Sequence, residues 1–393
     1  MLQRVGINTV AMESTGVYWI PLFQILEARG LEVFRVNARH VKNVPGRKTD
    51  LSDCQWLQYL HSVGLLNRSY RPAQHICAAR SLFRHRDSLI EMAASHVQHL
   101  HKALDQMNLQ IHHVITGQTG LAILDAILGG RRDPTELAKL RDRWIKATPE
   151  TIIKSLRGDY QPEHLFTLKQ ALAAYRHDQQ LIAECDREIA GYLRQFGSRC
   201  ELPQPEAPVP GKRGRGRPRG SHTPEAALHR ELHRIFGVDL VQVPGFDVST
   251  VMTLATEIGP DLSKFRSSRA FASWLALCPD NDKTGGQVVA TGTRPSKSRA
   301  PGAFRMAAYS LHGSFSFLGE YYRRFRARLG APKAITAAAH KLARIFFHLV
   351  TTQQANDESI FAEQETIHRQ RLQRRLKTQA RLLGFELVPV AGV

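Results

Sequence analysis

The amino-acid sequence predicts a small α/β domain followed by a mostly α-helical remainder. Residues 5–12 and 31–36 are short β-like runs, and helical periodicity follows each of them, at residues 17–28 and at about 50–63. Such alternation is typical of parallel strands joined by helices. From about residue 72, apolar residues recur three and four positions apart, the spacing of helices that pack along a narrow seam.

Two long helical seams are predicted in the middle of the chain. The first runs from Ile90 to Ile111, and the second runs from Leu168 to Leu193 with interruptions at Gln179 and Asp186. Helices with such seams pack as an antiparallel hairpin within one chain or pair between chains. The spacing alone leaves both arrangements open.

A change in composition divides the chain. Residues 201–224 hold four prolines in their first ten positions and then alternate Gly with Arg, a composition that builds no core. We therefore expect an α/β domain at 1–71, a helical coiled-coil region at 72–200, a basic linker at 201–224 and a C-terminal domain at 225–393.

The charge balance indicates a polyanionic partner. Lys and Arg number 54 against 35 Asp and Glu, a net charge of +19, which favours nucleic acid. The five cysteines form no Cys-x-x-Cys pair, so we expect reduced thiols rather than a zinc ribbon or a disulfide framework. No apolar run is long enough for a membrane span, and we expect a cytoplasmic location without membrane contact.

Two basic segments and one short turn are candidates for nucleic-acid contact. The linker resembles an AT-hook core around Gly-Arg-Pro, although a flexible basic linker that contacts phosphates explains it equally well. Val243-Pro-Gly-Phe246 resembles the turn of a helix-hairpin-helix element, and an ordinary helix–helix turn is the alternative. The predicted basic contacts in the linker and in the loop of residues 278–298 are Arg213, Arg215, Arg217, Arg219, Lys283, Arg294 and Lys297.

Three carboxylates form a candidate metal site. Glu13 ends the first β-like run, while Asp50 and Asp53 lie three positions apart at the start of a helix. Ligand sites in open α/β sheets lie at the carboxyl ends of strands, and Mg²⁺ or Mn²⁺ prefers hard oxygen ligands. The simpler alternative is that Asp50 caps the helix and Asp53 interacts favourably with its dipole.

Thr284, followed by two glycines, is a candidate nucleophile. Its loop also carries cations, and glycine permits close approach of a phosphodiester to the backbone. The alternative is a hairpin turn, because Gly-Gly commonly joins two antiparallel strands.

The order of these segments resembles a known family. Residues 12–19 (MESTGVYW) and 48–53 (KTDLSD) are similar to the N-terminal domain of the transposases of bacterial insertion sequence family 110. Residues 275–281 (LALCPDN) and 284–286 (TGG) resemble its C-terminal domain. Residues 330–334 (GAPKA) and 339–344 (AHKLAR) are similar to the family's subgroup 1111.

The resemblance implies a fold, a site and partners. It implies an N-terminal ribonuclease H-like domain, related to Holliday-junction resolvases, with an Asp-Glu-Asp-Asp metal site of which Glu13, Asp50 and Asp53 are the last three members. It also implies recombination of DNA at element ends and target, guided by an element-encoded RNA, in dimers or tetramers assembled through the coiled coil. The implied location is the bacterial cytoplasm, at the nucleoid.

Two departures from the family pattern open alternatives. The leading Asp has no counterpart, so we expect the first strands of the fold to be missing through N-terminal truncation, and Thr284 stands where the family has serine. A non-catalytic nucleic-acid-binding remnant of a transposase is therefore the main alternative. A Holliday-junction nuclease without a role in transposition is the third.

Overall fold

A computed structural model gives the fold in two compact units, Met1–Pro72 and Ala73–Val393, which are described separately. It describes residues 2–14, 16–36, 50–66, 68–111, 114–142, 145, 147–201, 225–296, 298–357, 370, 373–374 and 376–385. The side chains of residues 2–3, 50–52, 225–226 and 282–283 lie outside this description.

The first unit contains a parallel β-α-β crossover followed by one more helix. Its elements are β1 (Thr9–Glu13), α1 (Trp19–Ala28), β2 (Glu32–Val36) and α2 (Asp50–Ser62). Thr9 lies opposite Glu32 and Glu13 lies opposite Val36, so both strands end at the same edge of the sheet. The predicted alternation of strands and helices is confirmed in this unit.

The two helices of the first unit cover opposite faces of the sheet. Phe23 and Leu26 of α1 pack with Met12 and Val33 on one face. On the other face, Leu57 of α2 packs with Val36. The side-chain alternation of both strands therefore determines which residues contact each helix.

As far as the structure describes it, the second unit is helical apart from one small hairpin. In chain order its main elements are α3 (Gln74–Gln106), α4 (Gln118–Leu128), α5 (Pro134–Ala138), α6 (Pro149–Ser155), α7 (Pro162–Arg194), α8 (Glu225–Phe236), α9 (Val248–Glu257), α10 (Ser268–Trp274), β3 (Asp282–Thr284), β4 (Gln287–Ala290), α11 (Ala300–Ser310), α12 (Phe317–Leu329) and α13 (Ala331–Thr352).

The long helices α3 and α7 form an antiparallel hairpin within the chain. Arg86 pairs with Asp186, and His96, further along α3, pairs with Asp178, which lies earlier on α7. The second predicted seam is buried along its length, from Leu168 to Leu193. Asp186 interrupts that seam because it accepts hydrogen bonds from the buried Arg86.

One end of this hairpin shares a core with the C-terminal helices. Ile76 and Phe83 of α3 and Ile189 of α7 belong to the same cluster of buried side chains as Phe271 of α10 and Phe346 of α13. A second cluster joins the middle of the hairpin to α4, α5 and α6. The helical middle of the chain is thus a structural support for the C-terminal elements.

One predicted helix is shorter than the sequence pattern suggests. Residues 261–277 read as a continuous helix, but α10 covers only Ser268–Trp274. The Asp261 side chain accepts from the Ser263 amide and forms a separate turn, and Ser267 then caps α10 by accepting from the amide of Ala270. Ala276 has a positive φ of 54°, which ends the helix.

No helix within the described residues is both long enough and apolar enough to cross a membrane. The sequence also predicts a basic helix near residues 363–383; the structure describes about half of these residues, and residues 376–382 among them are helical.

Candidate functional site

Glu13 lies at the end of β1, on the face of the sheet that α2 covers. Alternate side chains of a strand point to the same face, so Thr9 and Glu13 share one face. The hydroxyl of Thr9 is 2.9 Å from Nε2 of His61, a residue of α2. The Glu13 carboxylate is therefore on the α2 side and is partly buried there.

The direction of α2 brings its first turn to the same edge. Leu57 packs with Val36 at the carboxyl end of β2, while His61 packs edge-on against Phe34, with ring centroids 4.7 Å apart, and reaches Thr9. The helix therefore runs antiparallel to the strands.

The lengths of the two elements agree with this placement. Asp53 precedes His61 by eight helical residues, about 12 Å. Glu13 follows Thr9 by four strand residues, about 13 Å. Asp53 thus lies level with Glu13 along the strand axis, and we name this region, with Asp50, the carboxylate edge.

The residues of the carboxylate edge suit a hard cation as far as the structure describes them. Asp53 is exposed, and Asp50 begins α2 although its side chain is outside the description. Among the described side chains, no group of three potential ligands comes together to hold a metal. Glu13 and Asp53 supply the carboxylate oxygens that Mg²⁺ or Mn²⁺ prefers.

Thr284 lies beside the tip of an exposed β-hairpin. It pairs with Gln287 across a two-residue turn in which Gly285 and Gly286 have positive φ values of 57° and 81°. Such a turn matches the twist of the strands and strongly favours glycine. The predicted hairpin is confirmed, and it leaves Thr284 exposed, where a large substrate can reach it. We call residues 282–290 the threonine hairpin.

Main-chain and side-chain bonds hold the base of the threonine hairpin. The Asp280 amide donates to the Gly292 carbonyl oxygen at 2.8 Å, and Pro279 bridges to Thr293. Arg294, a predicted nucleic-acid contact, donates from Nη2 to the carbonyl oxygen and the hydroxyl of Ser273, at 2.6 and 3.0 Å. At least one end of this guanidinium therefore has a structural role.

A buried carboxylate connects the loop after the hairpin to α3. Glu257, only 4% exposed, accepts from Nε and Nη2 of Arg84 at 2.9 and 2.7 Å. Its second oxygen accepts from the Ser298 hydroxyl at 3.2 Å. The same hydroxyl accepts from the Ala300 amide at the start of α11. We call Arg84, Glu257 and Ser298 the Glu257 cluster.

A second cross-link lies beside this cluster. Arg299 forms an ion pair with Asp87, one turn along α3 from Arg84. Burial raises the pKa of Asp87, and the positive charge of Arg299 opposes that rise. Ser298, the last residue of the loop, is thus linked to α3 through Glu257, and the next residue, Arg299, is linked to α3 through Asp87.

Sequence reasoning did not predict the Glu257 cluster or the Asp87–Arg299 pair. Arg84 and Glu257 are 173 positions apart, and Asp87 and Arg299 are 212 apart. No local pattern marks such partners, because the packing of distant helices brings them together.

The other predicted nucleic-acid contacts fall outside the description. The linker residues Arg213, Arg215, Arg217 and Arg219, together with Lys297, lie outside the described residues, as does the side chain of Lys283.

The proposed helix-hairpin-helix turn packs against α11. Gly245 has a φ of 93°, and a Cβ atom there would come within 2.6 Å of the Ala307 carbonyl oxygen. Val243 and Phe246 on either side of it are buried. Packing alone therefore explains the glycine, in agreement with an ordinary helix–helix turn.

Two segments of the chain match family models of transposases. Residues 2–109 match a family model described as a transposase of the DEDD type of IS110, and residues 239–315 match one described as the transposase IS116/IS110/IS902 family. The first match contains the carboxylate edge and the second contains the threonine hairpin. No curated protein matches the chain.

The chain therefore contains two segments similar to transposase domains of the IS110 family, and these segments hold both candidate sites. These domains support a DNA-binding enzyme that cuts and rejoins DNA in transposition and recombination. Transposases of the DEDD type generally use divalent metal ions.

Proposed function

We propose that this chain is a transposase of subgroup 1111 that cuts and rejoins DNA at insertion-sequence ends by transesterification on Thr284, guided by an element-encoded RNA. The observation that carries the proposal is the convergence of Glu13 and the first turn of α2 on one face and one edge of the sheet. That arrangement favours the metal-site interpretation of Asp50 and Asp53 over simple helix capping.

Glu13, Asp50 and Asp53 would hold Mg²⁺ or Mn²⁺ in a ribonuclease H-like domain. The ion, when bound, stabilises negative charge that develops on phosphate oxygens. The carboxylates themselves would fix where a phosphodiester can lie, since anionic side chains repel phosphate unless a cation lies between them.

The Thr284 hydroxyl would form the covalent link to DNA. Its Oγ bonds to the phosphorus and the bond from phosphorus to one DNA oxygen breaks; the threonine hydroxyl gives up its proton and the departing oxygen takes one up, with water as the carrier, which releases a DNA strand that ends in a hydroxyl. Attack on the phosphothreonine by a hydroxyl of another DNA strand reverses these changes and rejoins DNA. The exposed hairpin leaves space for both strands.

The test is detection of a covalent adduct. We would incubate the full-length chain with Mg²⁺, DNA that carries the element ends and a transcript of the non-coding sequence at those ends. Wild type should form a protein–DNA adduct that resists denaturant, Thr284→Ser should retain it, and Thr284→Ala should lose it. An adduct that persists in Thr284→Ala would contradict the role of Thr284.

The substitution of serine by threonine favours one alternative, a non-catalytic remnant that still binds element ends or guide RNA. The extra methyl group of Thr284 crowds the attacking oxygen. Specific binding by wild type, with neither nicking nor adduct, would support this alternative. Cleavage of any four-way junction without strand exchange would support the Holliday-junction nuclease instead.

The proposed partners are DNA, a guide RNA and further copies of the chain. The two predicted seams face each other within one chain, so a dimer or tetramer built on the coiled coil would use other surfaces of the α3–α7 hairpin. The proposed location is the bacterial nucleoid.

A further inference from the structure

Helices α12 and α13 concentrate positive charge. Residues 317–352 contain five Arg and two Lys against a single Glu. The two helices pack together through buried residues that include Tyr322 and Leu342. A cluster of like charges is destabilising by itself, so its presence needs a reason beyond folding.

Three arginines from the two helices converge on one region. Burial raises the pKa of Tyr321, and the positive charges of Arg324, Arg328 and Arg344 all oppose that rise. Arg328 and Arg344 are exposed, and Arg324 is partly exposed. Within the part of the chain that the structure describes, none of the three arginines forms an ion pair with a carboxylate.

Aromatic side chains orient two of these arginines. The guanidinium of Arg328 lies over the Phe325 ring, 4.9 Å from its centroid, and Phe325 itself packs against Tyr321 with centroids 4.5 Å apart. Arg324 lies over the ring of Phe317 at 5.9 Å. Such contacts reduce the freedom of the side chains while their N–H groups remain available for a ligand.

We propose that Arg324, Arg328 and Arg344, the basic face, bind the phosphodiester backbone of a nucleic acid. Arg324 and Arg328 are four positions apart, about 6 Å on a helix, so α12 presents two planar donors in series. A guanidinium fork matches phosphate oxygens. The inference deepens the proposed function by naming a binding surface, and it rests on that function only in requiring that the chain bind nucleic acid.

The test compares three triple variants of the full-length chain with wild type. Arg324→Gln/Arg328→Gln/Arg344→Gln removes the basic face. Replacing the same three arginines by Lys retains the charge and serves as rescue. The matched control is Arg68→Gln/Lys139→Gln/Arg176→Gln, which removes three exposed cations that each have a carboxylate partner.

Affinity is measured by fluorescence anisotropy across a range of salt concentrations, in EDTA so that no cleavage occurs. The probes are a labelled DNA duplex and an RNA hairpin of the same sequence. We expect the Gln variant to lose affinity about tenfold or more. The slope of its plot of log affinity against log salt should become less steep by about two to three units, because each phosphate contact contributes about 0.9 to that slope. The matched control should bind as wild type does, and the Lys variant should keep the wild-type salt dependence with a smaller loss of affinity, because Lys retains the charge but lacks the planar fork.

The two probes identify the source of the phosphates. A loss with duplex DNA alone, with RNA alone or with both supports the proposal and names the partner. An unchanged salt dependence with both probes overturns it, as does an equal loss in the matched control. Failure of the catalytic proposal would leave this result unaffected, since binding is measured without metal.

Discussion

The carboxylate edge and the threonine hairpin are held in place by different kinds of interaction. At the edge, the backbone of two paired strands and one packed helix sets the position of the functional groups. The described side chains of the threonine hairpin are exposed, and side-chain bonds and ion pairs attach the surrounding loop to α10 and α3. Replacing a single side chain at the carboxylate edge should therefore change the chemistry of the site without moving the backbone. Replacing one near the threonine hairpin should change the position of the loop.

The largest expected effect comes from the carboxylate edge. Glu13→Gln and Asp53→Asn should each reduce DNA cleavage by at least roughly 100-fold. Loss of a residue that binds the metal directly costs more activity than loss of a residue that only orients a metal ligand. Thermal stability should change little for Asp53→Asn, since that side chain is exposed. Cleavage and melting temperature would be measured on the same preparations.

The control for these variants is Glu32→Gln at the opposite edge of the same sheet. Glu32 begins β2 and is 54% exposed in a surface ion pair with Arg68. Full activity in this variant, together with loss in the other two, would show that position at the edge matters. Equal activity in all three would remove the carboxylate edge from the mechanism.

An intermediate effect is expected at the Glu257 cluster. Glu257→Gln should cost about 2 kcal/mol of unfolding free energy, below the value for a fully buried pair because Arg84 is 41% exposed. It should also slow cleavage and speed hydrogen exchange in residues 278–298. These changes would be followed by denaturant unfolding and by mass spectrometry.

Asp186→Asn provides the comparison within the same helix hairpin. It weakens the Arg86–Asp186 pair, which joins α3 to α7. We expect a similar loss of stability but normal exchange in the loop of residues 278–298. Faster exchange there in both variants would mean that general destabilisation, rather than the attachment of the loop, explains the effect.

The smallest effect is expected at the hairpin turn. Gly285→Ala places a Cβ in open space but at a φ of 57°, which should cost about 1 kcal/mol. Gly285→Asn should be tolerated better, because Asn adopts this conformation more readily. Amide exchange of β3 and β4 measures the difference, and equal protection in both variants would argue against the positive-φ turn.

Local sequence patterns predicted the parts of the fold that short-range forces determine. The alternation of β-like and helical runs anticipated β1, α1, β2 and α2, and Gly285-Gly286 anticipated the hairpin. The seam from Leu168 to Leu193 predicted the buried face of α7, although spacing alone did not distinguish a partner within the chain from one in another chain.

Tertiary contacts determined what the sequence could not show. The end of α10 depends on a positive φ at Ala276, and the role of Ser298 depends on a carboxylate 41 positions earlier. Spacing alone allowed Asp50 and Asp53 to be helix-capping acids, and the family resemblance implied metal ligands instead; the direction of α2 places its first turn at the edge where β1 ends. The family motif pointed to these residues, and the packing of α2 gives a physical reason for their position near the carboxyl end of the sheet.

The most direct test of the carboxylate edge is binding of Mn²⁺ to the full-length chain, followed by electron paramagnetic resonance. Wild type and Glu32→Gln should bind the ion with equal affinity, and Glu13→Gln and Asp53→Asn should each bind it at least about tenfold more weakly. Equal Mn²⁺ affinity in all four proteins would contradict the assignment of the metal site to this edge.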